Sequence, residues 1–164
     1  MIFETSNTYV ALIEEVDLNR ILEIYNSNKG FLLSHMDKES VDTDWVRNEL
    51  DNMRSIGFNS CKIIEKRFKR TIGFVEFAVK KESYLSLLMI HNNFKDNGYG
   101  KEVFYGLENY LKENFSDSIR IDIVTDYDSR VFKFWSELGF RVQENIILNW
   151  ADKELSAIVM KKYL

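Results

Sequence analysis

The chain has 164 residues, 45% of them hydrophobic and 14% aromatic, enough to bury one sizeable core and too apolar for a disordered tail. A formal net charge of -4 argues against a sequence-wide attraction to nucleic acid, and no apolar run is long enough to span a membrane. Cys61 is the only cysteine and His35 and His91 are the only histidines, which excludes an internal disulfide and a cysteine-based zinc cluster and leaves too few imidazoles for a histidine-rich metal site.

Residues 9–14 alternate and read as a first strand. Asp17 then caps a short helix carrying Leu18, Ile21, Leu22 and Tyr25 on one face. Residues 26–41 show no period. Thr43 is placed to cap a second helix with Val46, Leu50 and Met53 on one face, and Gly57 to end it. Strands follow at 59–66, 71–80 and 83–90, joined by short polar gaps that suggest antiparallel hairpins. Lys62, Lys66, Arg67, Lys69 and Arg70 read as a solvated hairpin whose charges guard a sheet edge.

After Ile90 a polar loop leads to a helix with Val103, Phe104, Leu107, Tyr110 and Leu111 on its apolar face. Ile119, Ile121 and Ile123 alternate with Arg120 and Asp122 as a strand. A helix with Val131, Phe132, Trp135 and Leu138 ends at Gly139, and 140–148 and 155–163 form a closing strand pair. The strand–helix–strand step from 83 to 124 requires a parallel pair, because a helical crossover returns the chain in the same direction. The expected fold class is therefore α/β: a mixed, mostly antiparallel twisted sheet of about seven strands, helices on both faces, in one domain spanning 1–164.

The informative segment is Lys95-Asp96-Asn97-Gly98-Tyr99-Gly100-Lys101, between a strand and a helix. Glycines let backbone approach a ligand closely, and the free N–H groups at a helix start suit a pyrophosphate. A dinucleotide-binding loop needs a third small residue where Val103 stands, and a Walker loop needs Ser or Thr where Glu102 stands.

Taken with its flanks, 88–100 resembles motif A of the Gcn5-related N-acetyltransferases (GNAT), in which an apolar strand and a short loop precede Arg/Gln-x-x-Gly-x-Gly/Ala. Lys95 departs from that pattern. Residues 128–140 resemble motif B, with Gly139-Phe140 matching and Asp128, Val131 and Trp135 replacing Asn, Ala and Tyr at preserved spacing. The resemblance implies a splayed parallel pair formed by 83–90 and 119–124. It also implies acetyl-CoA as cosubstrate, no metal, and direct attack of an amine on the thioester. Lys95, Asp96, Asn97, Gly98, Tyr99, Gly100 and Lys101 would hold the phosphates, backbone near Leu88 and Ile90 the pantetheine arm, and Asp128 and Trp135 would line the channel.

Trp135 removes the tyrosine that in many relatives protonates the thiolate, and packing is its plainer role. Tyr127 is a neighbouring phenol able to replace it. Glu76, a carboxylate in the apolar strand Phe74-Val75-Glu76-Phe77-Ala78, reads either as the base or as a residue on a solvated strand face. Asn28, Phe31 and Leu32 stand in the segment that would shape the acceptor pocket. The expected partners are acetyl-CoA and an amine acceptor, small molecule or peptide, with no nucleic acid, no membrane and a homodimer left open. The expected location is the cytoplasm. The competing reading is a non-catalytic acyl-CoA-binding sensor or scaffold of GNAT-like fold.

Overall fold

A computed structural model describes residues 1–150 and 152–164. Strands β1 (Phe3–Glu4) and β2 (Thr8–Leu12) lead into helices α1 (Leu18–Ser27), α2 (Lys29–Met36) and α3 (Thr43–Ser55). Strands β3 (Asn59–Glu65), β4 (Arg70–Ala78) and β5 (Glu82–Ile90) follow, then α4 (Tyr99–Glu113), β6 (Ser118–Val124), α5 (Ser129–Glu137), β7 (Arg141–Trp150) and β8 (Lys153–Tyr163). The eight strands form one sheet in the order β1-β2-β3-β4-β5-β6-β8-β7. Among the described residues only β5 and β6 pair in parallel. Among the described residues no helix is long and apolar enough to cross a membrane.

Helices cover both faces. On one, α4 and α5 bury Val103, Phe104, Leu107, Trp135 and Leu138 against Val75, Leu85, Ile119, Ile121 and Ile123. On the other, α1, α2 and α3 bury Ile21, Tyr25, Leu32, Val46 and Leu50 against Phe74 and Met89. The period-two pattern of β6 thus points its isoleucines at α4 and α5 and sends Arg120 and Asp122 to the α1–α3 face.

Four sequence expectations need correction. The stretch 26–41 holds a helix, α2, that is apolar on several sides: Phe31, Leu32, His35 and Met36 are all buried. A helix without a polar face shows no amphipathic period. Strand β1 is two residues long, too short to alternate, and raises the strand count to eight. The cap of α3 is Asp42, whose carboxylate accepts the Trp45 N–H at 2.8 Å, a bond worth about 1 kcal/mol. The basic hairpin does not guard an edge, because β3 and β4 lie inside the sheet. Three of its cations are ion-paired instead, Lys62 to Asp17, Lys66 to Glu4 and Arg70 to Glu65.

Two features of β5 position the site. A register shift opposite Glu76 and Phe77 leaves Ser86 as an extra residue, a bulge that bends the strand. Beyond it, β5 runs so close to β4 that a Cβ on Gly73 would lie 2.4 Å from the Met89 carbonyl oxygen. The end of β5 is thereby held on β4 while its other edge is released.

Candidate active site

Between β5 and α4 the chain makes a 3-10 turn at Asn92–Phe94 and then an exposed loop. Asn97 shapes this loop by donating its side-chain amide to the Phe94 and Lys95 carbonyls at 3.2 and 2.9 Å. Asp96 and Gly98 adopt positive φ, 63° and 82°, which glycine does at no steric cost. The first bond of the helix is Glu102 N–H to the Gly98 carbonyl. Among the described residues, no protein acceptor meets the N–H groups of Asp96, Asn97, Gly98, Tyr99, Gly100 or Lys101. They form a cluster of outward donors at the positive end of a fifteen-residue helix.

The loop opens onto a gap in the sheet. β5 and β6 pair only from Glu82↔Ser118 to Tyr84↔Arg120 and then part. Beyond that point β5 stays with β4 and β6 stays with β8. The His91 N–H bonds the Ile72 carbonyl, so the bonded pairs on β4 are His91, Met89 and Leu87. By alternation Leu88 and Ile90 turn their backbone groups into the gap. Asn28, at the end of α1, donates to the Ile90 carbonyl at 3.1 Å. The Ile90 N–H and both Leu88 groups keep no protein partner among the described residues.

Free amides at a helix start and a strand edge opened toward them suit an elongated guest with an anionic end and an amide-bearing arm. No protein-family model matches the chain, and no curated protein matches its sequence. Solved structures do match. An acetyltransferase of the GNAT family from Bacillus anthracis superposes with a TM-score of 0.79 at 11% identity, over 98% of this chain and 97% of the other. The fold is that of the GNAT acetyltransferases. The GNAT fold is also that of a ribosomal-protein-alanine N-acetyltransferase from Brucella melitensis, with a TM-score of 0.71 at 18% identity over 95% and 99% of the two chains. A spermidine N-acetyltransferase from Vibrio cholerae, solved with CoA and spermine, matches with a TM-score of 0.74 at 12% identity over 96% of each chain.

Within this GNAT fold, Asp128 caps α5 by accepting the Arg130 N–H at 3.0 Å, and the Arg130 guanidinium grips both its oxygens. That side-chain pairing holds the Asp128 carboxyl at about 2. A bare carboxylate would repel a phosphate here, and Arg130 neutralises it. Burial and then the Arg130 charge lower the Lys95 ammonium from its usual value, so Lys95 and Arg130 share one neighbourhood. Trp135 is 9% exposed and packs edge-on against Phe104, Phe134 and Phe140, with ring centroids 4.9 to 5.6 Å away.

On the α1–α3 face, Phe31 and His35 of α2 stack at 4.0 Å, and Tyr127 and Trp150 meet them edge-on. The cluster brings Phe31 and Tyr127 together across the gap. Leu32 is fully buried and turned into the core, so it offers no surface to an acceptor. His35, from the same 26–41 segment, belongs to this cluster, and so does Trp150, which carried no sequence signal because contacts between α2 and the β7–β8 hairpin are not local. His91 accepts the Asn93 N–H on Nδ1 at 3.1 Å and caps the 3-10 turn.

Glu76 does not join that cluster. It is 2% exposed on β4, facing Ser60, Tyr25 and Glu49. The solvated-face reading is thereby overturned. Burial, reinforced by the Glu49 carboxylate, pushes the Glu76 carboxyl up to about 8. Its backbone partner across β4–β5 is Leu87, next to Leu88 at the gap. Burial, then Asp128, raises the Tyr127 phenol, which stays protonated near neutrality.

Proposed function

We propose that the chain is an acetyl-CoA-dependent N-acetyltransferase acting by direct attack of an amine on the thioester. One observation carries the reading: unpaired amides at 96–101 lead into a gap whose β5 edge presents the Ile90 N–H and both Leu88 backbone groups without a protein partner among the described residues. The amides of Asp96 to Lys101 receive the diphosphate, with Lys95 beside them. The Leu88 and Ile90 backbone groups receive the pantetheine arm as a neighbouring strand would, and a gap-facing N–H polarises the thioester carbonyl. Asp128 and Trp135 wall the channel, Asn28 and Phe31 border the acceptor side, and Leu32 supports them from the core.

The amine nitrogen bonds the carbonyl carbon as the carbon–sulfur bond breaks. Glu76, with its raised pKa, takes the proton from the attacking amine, and the Tyr127 phenol gives one to the leaving thiolate. The acceptor is a primary amine of a small molecule or peptide. The Vibrio cholerae structure carries spermine and the Brucella melitensis one is named for a protein alanine, two amines of different size. A lone buried cysteine, whose thiol burial pushes up to about 12, suits a reducing cytoplasm.

The test is thiol release from acetyl-CoA with a panel of polyamines, amino acids and peptide N-termini. Release above the amine-free rate supports catalysis. Trp135, indole in place of a phenol and packed among phenylalanines, favours the second reading of a sensor that binds acyl-CoA without turning it over. Tight cofactor binding with no release across the panel selects it.

A further inference from the structure

Where β5 and β6 part, side chains take over from the backbone ladder. The last backbone pair is Tyr84 with Arg120. Asp122, two residues further along β6, accepts Tyr84 Oη at 2.5 Å and Arg120 Nε and Nη2 at 2.9 and 3.2 Å. The Asp122 side chain is 4% exposed. The Arg120 guanidinium lies 5.6 Å from the Tyr84 ring centroid, and Phe58 meets that ring edge-on. Burial and then the bond to Asp122 raise the Tyr84 phenol well above its ordinary value, so it remains the donor.

These three side chains form a clasp on the α1–α3 face, at the apex of the gap. The opposite face of the apex is packed by Leu85 and Ile121, each 3% exposed. Apolar residues would pack such a site at no desolvation cost, whereas a buried carboxylate such as Asp122 is costly to place and depends on its donors. Once assembled, the clasp is costly to open, because losing the Tyr84 O–H leaves the buried Asp122 carboxylate one donor short.

We infer that the Tyr84–Asp122–Arg120 clasp fixes how deep the gap is, and so limits the acyl group to a short chain. This rests on the proposed function, in which the phosphates lie at the open end beside residues 95–101 and the acyl group leads toward the apex. Tyr84 and Asp122 are then specificity-determining residues that act by position. A longer acyl chain must break the cross-strand bond to fit.

The test is the dissociation constant of acetyl-, propionyl-, butyryl- and hexanoyl-CoA, measured by calorimetry on the whole chain, so no acceptor is required. For wild type, affinity falls by about tenfold or more between acetyl- and butyryl-CoA, the scale of a misfitted methylene. Tyr84→Phe keeps the ring and removes the cross-strand bond, and it narrows that ratio at least several-fold. Asp122→Ala deletes the acceptor and does the same, and Tyr84→Phe stands alone if Asp122→Ala does not fold. A wild type indifferent to chain length overturns the inference. So does a Tyr84→Phe protein that weakens all four thioesters equally, as a merely structural role would. Failure of wild type to bind any thioester overturns the functional reading as well.

Discussion

Glu76 is a carboxyl with no cation paired to it among the described residues, buried beside Ser60 and within reach of the charge on Glu49. Its pKa near 8 lies above the ordinary value of 4.5. Between those values the unfolded chain has released a proton that the folded chain still holds, so stability falls as pH rises from about 4.5 to 8 and stays low beyond. Glu76→Gln is expected to flatten that decline and raise the urea midpoint at pH 8 to 9, with little effect near pH 4.5. In turnover the same substitution is expected to cost about a hundredfold and remove the rise of rate with pH toward 8. Unchanged pH–rate profiles would take Glu76 out of the proton path. A second residue-scale expectation concerns Gly100, whose added Cβ meets the protein only at an ordinary 3.7 Å from Phe134. Gly100→Ala should therefore fold normally yet lose tenfold or more in CoA affinity by crowding the amides, which calorimetry checks. Both residues were visible in the sequence, one as a charge in an apolar strand and one in a glycine loop. That Glu76 is buried was not visible, because strand alternation does not say which helices cover the second face.

Helix α2 roofs the gap on the α1–α3 face, through Phe31 and His35 against Tyr127 and Trp150 and through Lys153, which bonds Asp37 and the Ser34 carbonyl. Burial first, and the Lys153 charge after it, lower the His35 imidazole from 6.5 to about 4. As pH falls from about 6.5 to 4, the unfolded chain takes up a proton that the folded chain refuses, so this group removes stability on acidification. His35→Gln should show a shallower loss over that window in thermal unfolding, at a cost of about 1 kcal/mol near neutrality from the lost ring contacts. An identical slope would mean that His35 is not shielded by the roof. The elements legible in sequence were those with a period, such as α1, α4 and β6. Helix α2 has none, and β1 has too few residues to show one. The parallel step into β6 was legible for a topological reason, since a helix separates the two strands.

At the scale of the molecule, the sheet is two halves, β1 to β5 and β6 to β8, joined by three backbone pairs at one end of β5 and β6. The Tyr84–Asp122–Arg120 clasp reinforces that join, and the α2 roof spans the opening above it. Fold class was readable because strand order, the glycine loop and Gly139-Phe140 agreed on one arrangement. The proposed acceptor surface was not, because α2, the turn at Tyr127 and the β7–β8 hairpin meet only in the folded chain. The amides at 96–101 and the parted strands are expected to bind CoA in the folded state alone. The direct measurement is the melting temperature against CoA concentration. A rise is predicted that grows with concentration and corresponds to about 2.7 kcal/mol at a hundredfold excess over the dissociation constant. A melting temperature unmoved by millimolar CoA would contradict it.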